Sequence, residues 1–300
     1  MEEKRFAFWK KTPDKKRQAE INSYLFTRHP GLVSGVIGQS MLGKELRYFQ
    51  LGNGERSFLY VGAHHSMEWI TALLLYRLVD DVLLAGERGN ELLPPDCRLY
   101  VLPLLNPDGV EIQLHGAAAG GPLRERLLRQ NGGSADFSRW QANARGVDLN
   151  HNYDAGFAAY KEKERAAGII GGGSTRYSGE YPFSEPETAA LARMIALVNP
   201  LAILTLHTQG EEILYHPVSP PVPGARELGL RLARLTGYRL GEADGMAAYG
   251  GMSDYMAEAL RLPAYTLECG LGENPLPLRD AAAIYRRVRR ALLSLPHMII

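Results

Sequence analysis

Three apolar, β-forming runs in this sequence end on residues that ligate metals or carry protons. Ser57-Phe58-Leu59-Tyr60-Val61-Gly62-Ala63 leads into His64-His65-Ser66-Met67-Glu68, Leu201 to Leu206 leads into His207, and Ala264 to Leu267 ends on Glu268. Two histidines and one glutamate make up the ligand set of a catalytic zinc site, in which a fourth position stays open for water. A further carboxylate beside such a site can take a proton and return it. His65 and Glu68 stand three apart, so a turn or helix start brings both side chains to one side, and the distant His207 closes the set from another strand. On chemistry alone His64 has an equal claim to the first position, and Glu268 also suits a structural carboxylate paired with an arginine. Ligands of open α/β sheets gather outside the carboxyl ends of strands, and three separate strand ends carry suitable residues.

Holding those ends together requires a sheet. Short runs rich in β-formers occupy Leu46–Leu51, Ser57–Ala63, Arg98–Leu104, Leu201–Leu206 and Ala264–Cys269. Helical spacing of apolar residues fills Trp69–Ala85, Glu185–Val198, Ala225–Leu235, Ser253–Leu260 and Arg279–Leu295. Ser184-Glu185-Pro186-Glu187 reads as a helix start, with Ser184 as the cap and Pro186 in the first turn. The alternation predicts an α/β fold: a mixed, mostly parallel twisted sheet with helices on both faces. No internal repeat breaks the chain, so residues 1–300 are expected to form one domain. The stretches His115 to Asn143 and Gly168 to Pro182 lack periodicity and are expected as long loops that wall a site or move.

Composition narrows the function classes. Of 300 residues, 45% are hydrophobic and 22% charged, as in a soluble globular protein with a sizeable core. The formal net charge of +1 supplies no attraction to nucleic acid or to an anionic membrane. Cys97 and Cys269 are too few for a disulfide framework, which points to a reducing compartment. The N-terminus, Met1 to Lys16, is charged and lacks the apolar core of a secretory signal, and no apolar run is long enough to span a bilayer. The expected location is the cytoplasm.

Gly62-Ala63-His64-His65-Ser66-Met67-Glu68-Trp69 resembles the first zinc motif of the zinc carboxypeptidases, in which H-x-x-E-W follows a strand. Asn106-Pro107-Asp108-Gly109 is similar to the family's N-P-D-G turn, and Gly146-Val147-Asp148-Leu149-Asn150-His151-Asn152 to its G-V-D-L-N-R-N segment. Gly250-Gly251-Met252-Ser253-Asp254-Tyr255 resembles the segment lining the substrate pocket, and the motifs follow the family's order from about Ile37 to Glu268, leaving residues 1–30 as an N-terminal extension. The resemblance selects His65 over His64 and implies Zn2+ on His65, Glu68 and His207, with Glu268 as general base. It also implies that Asn150 contacts substrate. For the arginine that polarises the scissile carbonyl, spacing points to Gln141, and Arg145 is the nearest arginine and the slightly favoured one. The family's mobile tyrosine aligns on Met246, with Tyr249 three residues on as a substitute.

One departure carries substrate information. Where the family has an arginine that grips a terminal carboxylate, this chain has His151, which offers one donor and little charge near neutral pH. Together with His207-Thr208-Gln209-Gly210-Glu211-Glu212 and Gly272-Glu273-Asn274-Pro275-Leu276-Pro277, this resembles the bacterial γ-D-glutamyl-L-diamino acid endopeptidases, which cut wall peptides between D-glutamate and diaminopimelate. Such enzymes often carry LysM wall-binding repeats; none is visible here, so a bare peptidase domain acting on soluble muropeptides is expected. A γ-linked glutamate leaves a free α-carboxylate beside the scissile bond, which Arg145 or Arg176 could read. The other readings are a metallocarboxypeptidase, an N-acyl amino acid deacylase and a non-catalytic muropeptide sensor; an intact Glu268 argues against the last.

Overall fold

In the computed structural model, residues 6–299 are described; Met1 to Arg5 of the charged N-terminus, and Ile300, lie outside them. The strands are β1 (Val33–Gln39), β2 (Glu45–Leu51), β3 (Arg56–Gly62), β4 (Cys97–Leu102), β5 (Ala202–His207), β6 (Glu212–Leu214), β7 (Arg239–Gly241) and β8 (Ala264–Glu268). They form one sheet in the order β1-β2-β4-β3-β5-β8-β6-β7. The central strands β4, β3, β5 and β8 are parallel. Among the described residues, antiparallel pairing is confined to β1 with β2, β2 with β4, and β6 with β8.

The central strands read as unbroken apolar runs because both faces of the sheet are covered. On β3, Phe58 and Tyr60 point into one core and Leu59 and Val61 into the other. The first core is closed by α1 (Lys15–Arg28), α2 (Ile70–Gly86), α7 (Ala225–Thr236) and α9 (Ala281–Met298). On α9, Ala281, Ile284, Tyr285, Val288, Ala291, Leu292 and Leu295 are buried at three- and four-residue intervals, the stripe of an amphipathic helix. The second core is closed by α6 (Pro186–Val198) and α8 (Met252–Glu258), together with Leu149 and Tyr153.

All five expected strands and all five expected helices are present, with ends shifted by a few residues. Ser184 is not the cap of α6: Glu185 takes that place without a side-chain cap bond, and the Ser184 hydroxyl donates instead to Glu185 at 2.9 Å. Within the N-terminal extension, Phe8, Ile21 and Leu25 are fully buried in the first core. The stretch His115 to Asn143 is more ordered than its lack of periodicity suggests. It holds a 3-10 turn (Ala117–Leu123) and α4 (Arg124–Gln130), and after α3 (Pro107–His115) it closes a small core of Ile112, Leu127, Phe137 and Trp140. Among the described residues no helix is long and apolar enough to cross a membrane. Cys97 and Cys269 are buried and unbonded to each other.

Candidate metal centre and cleft

The parallel register brings the chemistry to one sheet edge. His207 and Glu268 close β5 and β8 directly opposite each other, and Gly62, the last residue of β3, pairs with Leu206. A β-carbon on Gly62 would lie 2.6 Å from the Pro103 carbonyl, so only glycine lets β3 end this close to its neighbour. Beyond it the chain turns through Ala63, at φ +49°, with its N–H donating to Thr71 Oγ1 at 2.9 Å. Asn106 pins the turn from the N-P-D-G side: its amide donates to the His64 carbonyl at 3.0 Å while its oxygen caps α3 at Gly109 N, also 3.0 Å. His65 then precedes a 3-10 turn (Ser66–Glu68) that swings Glu68 back beside it.

His65, Glu68 and His207 converge, with one ligand atom from each within 4.8 Å of the others. His65 Nδ1 lies 2.8 Å from Glu68 Oε1, His207 Nδ1 lies 2.9 Å from Glu68 Oε2, and the two Nδ1 atoms are 3.2 Å apart. Two ring nitrogens that close, both facing one carboxylate, is an arrangement that a cation between them stabilises. Burial alone would raise the Glu68 carboxyl, but the His65 and His207 rings hold it down at about 2. Burial opposes charge on His65, yet the Glu68 and Asp148 carboxylates raise it well above the ordinary histidine value. The site therefore favours positive charge, and its two nitrogens and one carboxylate fit zinc.

His65 is oriented from behind. Its Nε2 donates to Asp148 Oδ1 at 3.1 Å, the carboxylate–histidine pairing that fixes the ring of a metal ligand. Asp148 also accepts from Gln141 Nε2 at 2.9 Å and from Arg176 N at 3.1 Å. Burial pushes its carboxyl up, but the His65 and His151 rings and the Arg176 N–H keep it well below the usual range. Asp148 had no assigned role in the G-V-D-L-N segment, where its one signal is an acid set between the apolar Val147 and Leu149. His64 turns away from the cluster: it is fully buried, its Nε2 is 3.0 Å from the Tyr153 hydroxyl, and its ring stacks on that of His207 at 5.3 Å.

A cleft of about 400 Å³ opens over the cluster, lined by His65, Glu268, Gln141, Asn150, His151 and Arg176 among others. Burial, then the nearby Glu68 carboxylate, push the Glu268 carboxyl well above the usual range, the direction expected of a general base working near neutral pH. Asn150 faces the cleft, and its side-chain oxygen accepts from Met252 N at 3.2 Å. His151 is nearly buried, with Nδ1 2.8 Å from the Tyr249 carbonyl and its ring stacked on Tyr160 at 4.0 Å.

Two expected residues are not brought to the cleft. Arg145 directs its Nε to the buried Glu185 carboxylate, 3.7 Å away, and does not line the cavity, whereas Gln141 does. The Tyr249 ring packs against Gly156 and beneath the Lys163 ammonium, 5.3 Å from its centre, while Met246 lines the cleft. Spacing alone pointed to Gln141 and Met246; the chemically plausible neighbours are drawn off by partners that only the tertiary fold supplies.

This fold and this converging site define a metallopeptidase of the carboxypeptidase type. The zinc carboxypeptidase family pattern matches residues 21–284, and the chain belongs to that family. It is 32% identical over 277 residues to γ-D-glutamyl-L-diamino acid endopeptidase 1 of Lysinibacillus sphaericus, covering 90% of this chain and 68% of that protein. Among solved structures it is similar to carboxypeptidase A of Helicoverpa armigera (TM-score 0.74, 18% identity, 98% of this chain and 74% of that one). It is also similar to the murein-tripeptide amidase of Escherichia coli O157 (TM-score 0.56, 21% identity, 88% and 91%). At these identities the structural likeness is one of fold.

Proposed function

We propose that this protein is a zinc-dependent peptidase that hydrolyses the γ-D-glutamyl–diaminopimelate amide of peptidoglycan-derived peptides. The observation that carries the reading is the state of His151. At the place where the family grips a terminal carboxylate with arginine, this chain puts an imidazole that is stacked on Tyr160 and bonded to the Tyr249 carbonyl. Such a group has no permanent charge to offer an anion it must desolvate. The 32% identical relative from Lysinibacillus sphaericus, named a γ-D-glutamyl-L-diamino acid endopeptidase, supports the reading.

His65, Glu68 and His207 would hold the zinc, and the ion, when bound, supplies a Lewis acid that polarises the scissile carbonyl and acidifies water. Glu268, facing the cleft, takes the proton of the attacking water and delivers it to the leaving amine. Asp148 keeps His65 in the tautomer whose Nδ1 is free to bind metal. Asn150 positions the substrate backbone. Arg145 directs its Nε to Glu185 and does not line the cleft, which weighs against the carbonyl-polarising role.

The test is a side-by-side measurement of kcat/KM on L-Ala-γ-D-Glu-diaminopimelate peptides and on α-linked peptides with a free C-terminus. Faster cleavage of the γ-linked peptides is expected, with products identified by mass spectrometry. Faster release of single C-terminal residues from α-linked peptides would replace this reading by a carboxypeptidase.

A further inference from the structure

Resting on that reading, we propose that Arg176 sets the specificity of this site by binding the free α-carboxylate that a γ-linked glutamyl residue carries beside its scissile amide. The polar groups around the metal centre that could meet an anion are few, and most are engaged. Arg145 is paired with Glu185. Arg139 also lines the cleft, but it donates to the Asn274 carbonyl at 2.7 Å and to Glu273 at 3.1 Å. Gln141 gives an amide hydrogen to Asp148, and His151 is held by the Tyr249 carbonyl. Arg176 lines the cleft together with His65 and Glu268, is exposed, and has no side-chain hydrogen bond or ion pair among the described residues. An unengaged guanidinium in a cleft is a ready fork for a carboxylate.

Its backbone supplies a second, independent observation. Arg176 sits at φ +66°, in the left-handed region that favours glycine. The chain around it is rich in glycine, with Gly171, Gly172 and Gly173 just upstream, yet the strained position carries arginine. The conformation is enforced from both sides: Arg176 N donates to Asp148 Oδ2 at 3.1 Å, and its carbonyl accepts from the Tyr160 hydroxyl at 3.0 Å. One carboxylate, Asp148, thus separates the Arg176 backbone from the ligand His65, and one ring, Tyr160, joins it to His151. Strain retained at a site is a sign that the side chain is used there. The position left without a charged fork at His151 is compensated from the neighbouring loop.

The experiment uses the zinc-loaded protein and two peptides, L-Ala-γ-D-Glu-diaminopimelate and the same peptide with the glutamyl α-carboxylate converted to a carboxamide. The parent should prefer the acid by roughly 10- to 100-fold in kcat/KM, the range for a hydrogen bond to a charged group. Arg176→Gly should lose that preference, mostly through KM, while turning over the carboxamide as the parent does. Because glycine suits φ +66°, its Tm should be no lower than the parent's, which separates lost recognition from lost folding. Arg176→Lys should keep part of the preference, having the charge without the fork. Arg139→Ala should keep all of it. Equal cleavage of acid and carboxamide by the parent overturns the proposal, as does preference retained in Arg176→Gly or lost in Arg139→Ala. A parent that cuts neither γ-linked peptide but cuts α-linked ones overturns the function reading, and this assignment with it.

Discussion

At the scale of single residues, the roles divide by what each side chain faces. His65 and His64 are chain neighbours with opposite fates, because the turn at Ala63 sends one to the cleft and the other into the interior against His207. His65→Ala is expected to lose zinc and activity together. His64→Ala should still bind zinc but unfold earlier, since it opens a cavity beneath His207; metal analysis and thermal melts check both, and full zinc content in His65→Ala would refute the ligand assignment. Glu268→Gln preserves shape and removes the proton acceptor, so turnover should fall at least ~10²-fold with zinc content unchanged. Loss of zinc with turnover retained would make Glu268 part of the metal's support rather than the base.

At the scale of elements, the site depends on how helices anchor the sheet. Asp81 of α2 is the clamp for α9: it accepts from the Tyr285 hydroxyl at 2.8 Å and Arg289 Nε at 3.0 Å, and from Arg77 Nε of its own helix at 2.9 Å. Burial alone would raise its carboxyl, but the Arg77 charge and these three donors hold it below the ordinary aspartate value. A folded value below the unfolded one means the stabilisation is fully present above about pH 4 and is lost as pH falls through the folded value. Asp81→Asn should therefore cost about 1–3 kcal/mol at pH 7, as for a disrupted buried hydrogen-bond group. The difference from the parent should shrink on acidification. Denaturant unfolding at pH 7 and in the acid range measures it, and a pH-independent difference would show that packing rather than charge is at stake.

At the scale of the whole molecule, the candidate metal centre draws on distant segments. His65 and Glu68 follow β3, His207 ends β5, Glu268 ends β8, and Asp148 comes from the segment between α4 and α5 (Phe157–Ala166). An ion bound only by the folded chain stabilises all of it: zinc at about 100 times its Kd adds about 2.7 kcal/mol by mass action. Chelation should lower the Tm and readdition of zinc should restore it, whereas His65→Ala should melt at the same temperature with and without zinc. A parent whose Tm ignores chelation, while its zinc is shown to leave, would mean that the cluster is already held rigid by its own contacts.

The sequence by itself determined the ligand types, the central strands and five of the helices that flank them, α2, α6, α7, α8 and α9. Those features are local: an apolar run such as Ser57–Ala63 buries both faces wherever it pairs, and the stripe along α9 follows from its own spacing. Strands β6 and β7, three residues each, were not legible, because so short a strand is defined by its partner rather than by its own pattern; nor was the edge strand β1, where Gly35 and Gly38 interrupt the β-forming run. Helices α1, α3, α4 and α5 were missed too, α4 and its surroundings because the small core around Trp140 is assembled from residues without a shared period. Tertiary structure alone decided which polar groups are engaged. Arg145, Arg139 and Arg176 are equivalent as letters, but a buried Glu185 lies within reach of the first, an Asn274 carbonyl and Glu273 hold the second at the border of the cleft, and the third borders the same cleft with no such partner. A side chain's chemistry belongs to its residue type, whereas its availability depends on neighbours brought in from far along the chain.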